Sequence, residues 1–459
     1  MSPEQYDVVV IGAGPAGEVL AGRLAAAGLE VAIVEDRLVG GECSFWACMP
    51  SKALLRPAEA LAEARRVPGA AQAVTGPLDV QAVLDRRDEV IHDLSDDAQL
   101  PWLEDQGITL VRGHGRLTGE RRLEVDGREL EARRAIVIAT GSAPAVPPVP
   151  GLREAEPWTN RDITVAKEVP PRLIVLGGGV VGCEMAQAWS TLGSRVTLIE
   201  PGDQVLGKEE PFAAEQVEAG LAEAGVDVRK GGKATSVERP EAGGEVTVVL
   251  EDGSRLVADE LLAATGRRPL TDDLGLETVG LEPGAYLETD AQLRSTTHPW
   301  LIVIGDANGR ALLTHMGKHQ ARIASDALLG KPAQLYERGD GTQSPRVTFT
   351  APQVAAVGLT LASAQEAGLP VKAVDVGTSA NAGGSFWGRN AEGIARLVID
   401  TEREVVVGAT ITGAEVQDFL HAATIAVVGE VPLDDLWHSI AAFPTRSELW
   451  LKLLEGYGL

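Results

Sequence analysis

Cysteine and aromatic residues are scarce in this chain of 459 residues. It has three cysteines, and aromatic residues make up 4% of it. So few cysteines exclude a small secreted fold that is held together by disulfide bonds. No apolar run reaches the roughly 20 residues that a transmembrane helix needs, and the N-terminus lacks the basic segment that opens a signal peptide. We therefore expect a cytoplasmic protein without a membrane partner.

Positively charged residues are also few relative to acidic ones. Lys and Arg number 41 against 66 Asp and Glu, which gives a net charge of -25. An excess of negative charge argues against nucleic acids and anionic membranes as partners. The apolar fraction of 44% is ordinary for a globular enzyme, and the length predicts about three domains.

The same local arrangement occurs twice along the chain. In each copy an apolar strand leads into a glycine-rich loop that opens a helix, and a second strand ends on a glutamate 23 residues after the first glycine. These residues are Gly12, Gly14, Gly17 and Glu35 in the first copy, and Gly177, Gly179, Gly182 and Glu200 in the second. Such loops let a pyrophosphate approach a helix N-terminus, and the acid accepts hydrogen bonds from ribose hydroxyls. The sequence therefore predicts two Rossmann-type dinucleotide-binding units.

Other strands complete the predicted organisation. Two of them end in Ala-Thr-Gly, at Gly141 and at Gly266, and a third runs up to Asp306. From about Arg346 short strands alternate with helices, which is typical of an α+β domain. We predict an α/β protein with two Rossmann-like domains and a C-terminal α+β domain. The expected segments are 1–148 for the first nucleotide domain, 149–272 for the second, 273–340 for the return to the first, and 345–459 for the C-terminal domain.

Two cysteines, Cys43 and Cys48, follow the first glycine loop by about one βαβ unit. A pair with this spacing is, by itself, more often structural, metal-binding or accidental. Next to a bound redox cofactor, however, two thiols can pass two electrons as a disulfide/dithiol couple. We therefore predict a redox-active pair and no metal site. Cys183, just after the second glycine loop, is expected to be a small core residue.

The order and spacing of these motifs resemble the FAD-dependent pyridine nucleotide-disulfide oxidoreductases of class I. This family includes dihydrolipoamide dehydrogenase, glutathione reductase, mercuric reductase and soluble transhydrogenase, and the resemblance covers nearly the whole chain. It implies FAD on the first unit, a nicotinamide nucleotide on the second, and a C-terminal dimerisation domain that forms a homodimer. The cofactor contacts that it implies are Gly12, Gly14, Gly17, Glu35, Lys52, Thr140, Gly141, Gly177, Gly179, Gly182, Glu200, Gly266, Asp306 and His315.

The resemblance also implies catalytic roles. Cys48 is expected to contact the flavin and Cys43 to meet the substrate, with Lys52 near the flavin and paired with Glu184. Glu448 belongs to the C-terminal catalytic signature.

The remaining implied roles concern the cofactors. Asp306 is expected to bind the ribityl chain of FAD. The helix that begins near His315 is expected to direct its N-terminus at the flavin, with His315 as a packing or helix-start residue. Glu200 favours NADH over NADPH, because a carboxylate repels a 2′-phosphate.

One position departs from the family. Its C-terminal signature is His-Pro-Thr with a glutamate five residues after the histidine, which acts as the acid/base in thiol chemistry. Here Phe443 stands at the histidine position, before Pro444 and Thr445. Phenylalanine cannot transfer a proton, and general acid-base catalysis is worth about 10²–10⁴-fold. His438 could take over only if the backbone bends.

The loop between the two cysteines is also unusual, because it carries Phe45 and Trp46. These residues are either packing side chains or a platform for substrate. A tryptophan at this place, with an aromatic residue instead of the histidine, resembles soluble transhydrogenase, which however lacks the second cysteine. Mercuric reductase also lacks the histidine, but it uses a C-terminal cysteine pair that this chain does not have.

We expect an enzyme that passes electrons from NADH through FAD to Cys43 and Cys48, and on to a small-molecule disulfide, quinone or other soft acceptor. Three alternatives stay open. The first is an NAD(P)H diaphorase, quinone reductase or transhydrogenase that works directly at the flavin, and the second is dihydrolipoamide dehydrogenase. The third is a redox-responsive flavoprotein without enzymatic activity.

Overall fold

The computed structural model describes residues 3–389, 391 and 393–459. Its helices are α1 (Pro15–Ala26), α2 (Gly41–Phe45), α3 (Cys48–Arg66), α4 (Val80–Val90), α5 (Leu100–Asp105), α6 (Asn160–Ile163), α7 (Val180–Thr191), α8 (Pro211–Glu223), α9 (Thr314–Leu328), α10 (Leu361–Glu366), α11 (Leu420–Val428), α12 (Leu433–His438) and α13 (Leu449–Tyr457). Within the described ranges, none of the helices has both the length and the apolar character needed to cross a bilayer.

The strands of the first half are β1 (Glu4–Ile11), β2 (Val31–Glu35), β3 (Thr109–Arg112), β4 (Gly115–Gly119), β5 (Arg122–Val125), β6 (Arg128–Ile138), β7 (Ser142–Pro144), β8 (Arg172–Leu176), β9 (Arg195–Glu200) and β10 (Asp227–Lys230). The remaining strands are β11 (Ala234–Glu238), β12 (Val246–Leu250), β13 (Arg255–Ala258), β14 (Glu260–Ala263), β15 (Arg267–Pro269), β16 (Leu301–Val303), β17 (Arg346–Thr348), β18 (Gln353–Gly358), β19 (Val371–Gly377), β20 (Ile394–Asp400) and β21 (Val405–Gly413).

The chain divides into two compact units. The first contains residues 1–50, 88–143 and 267–341, and the second contains 51–87, 144–266 and 342–459. Each unit therefore consists of three separate pieces of the chain.

The first unit is built on a sheet with the strand order β3-β2-β1-β6-β5-β4, and β16 also pairs with β6. Strands β3, β2, β1, β6 and β16 are parallel, whereas β4, β5 and the start of β6 form an antiparallel meander. The alternation along β1 follows the pleat. Val8 and Val10 pack with Leu20 of α1, while Val9 and Ile11 pack on the opposite face.

The second unit contains a parallel sheet with the order β10-β9-β8-β14 and an antiparallel sheet with the order β11-β12-β13. Helix α7 follows the second glycine loop and carries the fully buried Trp189 and Cys183. The burial of Cys183 confirms that it is a core residue.

The C-terminal part of the second unit is an antiparallel sheet with the order β17-β18-β21-β20-β19. Its core includes Leu397 and Ile411 from the sheet, Ala423 of α11 and Leu453 of α13. The predicted fold class is thus confirmed, with two Rossmann-like folds followed by a C-terminal α+β region.

Candidate active site

The first glycine loop leaves room for a ligand at the N-terminus of α1. Gly12 has φ +106°, and a Cβ there would lie 2.4 Å from the carbonyl oxygen of Ala139. A Cβ at Gly17 would lie 2.0 Å from the carbonyl oxygen of Gly12, so both glycines are required by the close packing of the turn. At Gly14, in contrast, a Cβ would meet nothing closer than 4.0 Å. This open position lies beside the first N–H groups of α1, which have no acceptor within the helix, and it fits the pyrophosphate of a dinucleotide.

Glu35, at the end of β2, is held by the backbone of this loop. Its Oε2 accepts the N–H of Ala13 (2.8 Å) and its Oε1 accepts that of Arg37 (2.9 Å). Burial raises the pKa of Glu35, and these two N–H groups lower it. The carboxylate is therefore fixed in place with lone pairs left for the hydroxyls of a ribose.

The second glycine loop repeats this geometry in the second unit. Gly177 has φ +102°, a Cβ at Gly182 would lie 1.8 Å from the carbonyl oxygen of Gly177, and Gly179 has nothing within 4 Å. The duplication inferred from the sequence thus extends to the open position at the helix N-terminus.

Glu200 makes the same backbone contacts as Glu35. It accepts the N–H groups of Gly178 and Gly202, both at 2.7 Å. It also lines a cavity of about 400 Å³ in which Asp203 adds a second carboxylate and Lys208 a cation. The full lining is Glu200, Gly202, Asp203, Gln204, Gly207, Lys208, Glu209, Glu210, Pro211, Thr360 and Ala362.

Two further acids of this lining are already paired. Glu209 binds Arg346 through two hydrogen bonds of 2.6 and 2.9 Å, and Glu210 binds Arg396 at 2.9 Å. The negative charge facing the cavity therefore comes mainly from Glu200 and Asp203.

Asp306 lies in the first unit and belongs to a polar cluster. Ser142 donates a hydrogen bond of 2.5 Å to Asp306 Oδ2, and Arg267 donates from Nε to Ser142 Oγ at 2.6 Å. Burial raises the pKa of Asp306, whereas Ser142 and the charge of Arg267 lower it. The carboxylate is thus oriented and can accept hydrogen bonds from the hydroxyl groups of a sugar-like chain.

The two cysteines lie together in the same unit as the first glycine loop. Cys43 is in α2, Cys48 is the first residue of α3, and both are free thiols in this structure. Cys48 Sγ is 3.3 Å from Oγ1 of Thr314, the first residue of α9. The positive end of the α9 dipole favours a thiolate at this sulfur.

The two thiols influence each other strongly. The hydrogen bond with Cys48 and then burial raise the pKa of the Cys43 thiol well above its usual range. Thr314 and the positive charge of Lys318 act in the opposite direction and lower it. A charge on one sulfur thus disfavours a second charge on the other, as expected for a reduced pair.

Lys52 and Glu184 form an ion pair in the second unit. Lys52 Nζ donates to Glu184 Oε2 at 2.8 Å, and Glu184 is 3% exposed. Phe349 holds both partners: its N–H donates to Glu184 Oε1 at 2.9 Å, and its ring centroid is 4.7 Å from Lys52 Nζ. The predicted pair is therefore formed within a cation–π contact that fixes the ammonium group.

The aromatic residues between the cysteines have different surroundings. Phe45 is 1% exposed and packs in the core, whereas Trp46 is half-buried, with its ring centroid 5.7 Å from that of Phe45. Phe45 is thus a packing residue. Of the two, only the partly exposed Trp46 could serve as a platform for substrate.

The C-terminal signature is intact except for its histidine. Phe443 is 76% exposed, and Glu448 Oε2 is buried without a hydrogen-bond partner among the described residues. His438 ends α12 and is exposed. A cavity of about 300 Å³ close by is lined by Asp418, Phe419, Ala422, Leu436, Ser439, Ala441, Ser447 and Trp450.

Several predicted cofactor residues stay predictions. Thr140 donates to the carbonyl oxygen of Leu270 at 2.8 Å, Gly141 and Gly266 have positive φ angles, and His315 is exposed at the start of α9. Within the part of the chain that the structure describes, no group of three or more His, Cys, Asp or Glu side chains is arranged to hold a metal ion.

The contacts of four residues were not predicted from the sequence: Ser142, Arg267, Thr314 and Phe349. Ser142 directly follows the Ala-Thr-Gly of the first strand, and Arg267 follows that of the second. The residue directly after each Ala-Thr-Gly segment could therefore have been predicted from the sequence as a site residue. No sequence pattern pointed to the contacts of Thr314 and Phe349, because they depend on tertiary packing.

Comparisons with known proteins agree with this geometry. Residues 6–324 match the family described as pyridine nucleotide-disulphide oxidoreductase, and residues 344–453 match the dimerisation domain of the same family. A mercuric reductase of Lysinibacillus sphaericus is 31% identical over 454 residues, which cover 98% of this chain and 82% of that protein. A dihydrolipoyl dehydrogenase of Thermus scotoductus is 34% identical over 457 residues, 98% of this chain and 97% of the relative.

Solved structures give the same result. The Cu(II) complex of the HOCl-induced flavoprotein disulfide reductase RclA from Escherichia coli superposes with a TM-score of 0.86 at 26% identity, covering 99% of both chains. Enzymes of the matched family use FAD together with NAD(P)H, and the matched dimerisation domain supports a homodimer. The chain belongs to the pyridine nucleotide-disulphide oxidoreductase family.

Proposed function

We propose that the protein passes two electrons from NADH, through FAD, to the Cys43–Cys48 pair and from there to a disulfide or another soft acceptor. The observation that carries this proposal is the dithiol itself, with Cys48 Sγ 3.3 Å from Thr314 at the head of α9. The same unit contains the open first glycine loop and Glu35.

FAD would be held by the first glycine loop, Glu35 and Asp306, and it supplies a two-electron relay between NADH and the dithiol. The open position at Gly14 would take the pyrophosphate, Glu35 would accept hydrogen bonds from the ribose hydroxyls, and Asp306 would accept those of the ribityl chain. Lys52, fixed by Glu184 and Phe349, would place its positive charge at the cofactor, as the family resemblance implies.

Purified protein is expected to contain one FAD per subunit, and Asp306→Ala is expected to retain much less. Removal of the carboxylate takes away the acceptor of the Ser142 hydroxyl and the proposed acceptor of the ribityl hydroxyls, so we expect the Kd for FAD to rise by about tenfold or more. Flavin absorbance after dialysis measures the loss. Asp326→Asn is the matched control, because Asp326 pairs with Arg23 and Lys331 in the same unit. Retention of FAD by the Asp306 variant equal to that of the control would contradict the assignment.

The second loop would bind NADH in preference to NADPH. Glu200 and Asp203 place negative charge in the cavity beside the ribose site, and a 2′-phosphate would be repelled there. We expect kcat/KM for NADH to exceed that for NADPH by at least tenfold.

Glu200→Gln is expected to reduce this preference by about tenfold, since it removes a charge that opposes the phosphate. Asp203→Asn serves as the control and should change the ratio less, because Asp203 does not take the predicted place on the ribose. Stopped-flow flavin reduction gives both constants, and equal use of the two nucleotides by the wild type would refute the preference.

With a disulfide acceptor, the chemistry would proceed in two exchange steps. The Cys43 thiolate attacks one acceptor sulfur, the acceptor S–S bond breaks, and the departing thiolate takes a proton from water. The Cys48 thiolate then attacks Cys43 Sγ and releases the second acceptor thiol, so that a Cys43–Cys48 disulfide remains. The dithiol has lost two electrons and the acceptor has gained them.

The acceptor should be one that needs no strong acid catalyst, because Phe443 cannot donate a proton. Disulfides with good leaving thiols and thiophilic metal ions meet this condition. The names of two similar proteins, a mercuric reductase and a Cu(II) complex of a disulfide reductase, support the soft-metal class. The test is an anaerobic screen with NADH against Cu(II), lipoamide, glutathione disulfide and menadione.

A second candidate is direct transfer to quinones or dyes at the flavin. The exposed Phe443 favours it, since such reduction needs no histidine. Menadione reduction that survives loss of both cysteines, with no activity on any thiol-dependent acceptor, would select this candidate over the first.

A further inference from the structure

Helix α9 begins at the dithiol and is fixed there by close packing. Its first residue, Thr314, lies 3.3 Å from Cys48 Sγ. A Cβ at Gly317 would lie 3.2 Å from the Cβ of Ala16, so the helix sits tightly against α1. The orientation of the first turns of α9 relative to the sulfurs is thus set by the core of the unit.

Lys318 lies one helical turn after Thr314, on the same face of α9. Residues four apart are neighbours on a helix surface, and side chains lean toward the helix N-terminus. The exposed Lys318 thus lies on the helix face of Thr314, and its positive charge acts on the Cys43 thiol and on Glu18 of α1. A rise of about 1.5 Å per residue puts the two Cα atoms about 6 Å apart along the axis, which a lysine side chain can span.

The charges around Lys318 come from three elements. Cys43 and Cys48 lie on the dithiol segment, His315 and Arg322 are neighbours on α9, and Glu18 faces it from α1. The pKa of Glu18 is raised to about 7: burial is the main cause and the charge of Glu35 adds to it, while the charge of Lys318 acts in the opposite direction. Glu18 therefore gains negative charge, and opposes Lys318 more, as the pH rises through about 7.

We propose that the ammonium group of Lys318 stabilises the thiolate of Cys43, and so supplies from within the same unit the positive charge that Phe443 cannot supply. Lys318 does not react itself: it acts only by stabilising the negative charge of the Cys43 thiolate, and it is therefore a positioning residue. The proposal rests on the proposed role of Cys43 as the thiol that meets the acceptor. It adds to that role a source of reactivity that does not depend on the missing histidine.

The test is the pH dependence of iodoacetamide alkylation of Cys43 in the NADH-reduced holoenzyme, followed by mass spectrometry of the peptide. In Lys318→Gln the midpoint is expected to rise by about 0.5–1 pH unit, as for loss of one nearby charge. The rate at pH 7 should fall about two- to fivefold. The plateau at high pH should rise, because a thiolate of higher pKa is the stronger nucleophile. The pH profiles of the variant and the wild type should therefore cross, and a merely structural defect would not produce such a crossing.

Three comparisons complete the design. Lys318→Arg keeps the charge and should restore the midpoint to within about 0.2 pH unit. Lys331→Gln removes a charge beyond the C-terminal end of α9, about 15 Å further along the helix axis, and should have no effect, since that distance exceeds the screening length. Glu18→Gln removes the opposing charge and should lower the midpoint.

A Lys318→Gln profile that superimposes on the wild type overturns the proposal, and so does an equal shift in Lys318→Arg. The proposed function is tested separately. If Cys43→Ser leaves thiol-dependent turnover unchanged, that function is wrong, whatever the alkylation profile shows.

Discussion

Cys43→Ser is expected to lower NADH-driven reduction of disulfides by about 10²-fold or more. The thiolate is the nucleophile in thiol–disulfide exchange, and a serine hydroxyl at the same place is not ionised at neutral pH. Dye reduction, which draws on the flavin directly, should change by less than about twofold. The ratio of the two activities, measured in the same preparation, isolates the role of the thiol from any loss of cofactor.

Cys183→Ser provides the matched control for this variant. Cys183 is fully buried, donates to the carbonyl oxygen of Gly178 at 3.2 Å, and takes no part in the proposed electron path. Both activities should stay close to wild type, because serine can keep the hydrogen bond. Disulfide reduction by Cys43→Ser at the rate of this control would show that the dithiol lies off the path.

Phe443→His is expected to raise reduction of lipoamide and glutathione disulfide by about tenfold or more. An imidazole would restore the acid/base group, and well-placed groups of this kind are worth about 10²–10⁴-fold. The buried Oε2 of Glu448, which has no partner among the described residues, is available to orient it. Dye reduction should hardly change, so the ratio of the two rates is again the measurement.

Two further variants separate proton transfer from a change of shape. Phe443→Leu should give no gain, and Phe443→His combined with Glu448→Gln should lose most of it. A wild-type enzyme that already turns over lipoamide at about 10²–10³ per second, the fast end for enzymes generally, would contradict the argument. It would mean that another group, such as His438, performs the proton transfer.

The nucleotide-binding parts of the fold could be predicted because their chemistry is local. The glycines at 12 and 177 are needed for positive φ, and Glu35 and Glu200 bind the loop backbone in the same way. Apolar strands before and after such loops left little freedom in topology. The meander β4-β5-β6 and the sheet β11-β12-β13 were not predicted, because their short strands mix charged and apolar residues.

For the candidate site, the identities of individual residues could be predicted, but most of the contacts between them could not. Cys43, Cys48, Lys52 and Glu184 follow from motif and resemblance, and the structure places each pair together. The contacts of Thr314 and Phe349 join residues 266 and 165 positions apart in the chain. Distances of this kind are set by the packing of helices and sheets, which no short sequence pattern encodes.

The central claim is that electrons from NADH reach the Cys43–Cys48 pair, and thiol counting tests it most directly. Oxidised holoenzyme is treated anaerobically with one equivalent of NADH, and iodoacetamide labelling of the Cys43–Cys48 peptide is compared before and after. One NADH and one proton convert a disulfide into two thiols, so we expect an unlabelled, disulfide-linked peptide before reduction and labelling after it. Equal labelling before and after, or a disulfide that survives while NADH is consumed, would contradict the account.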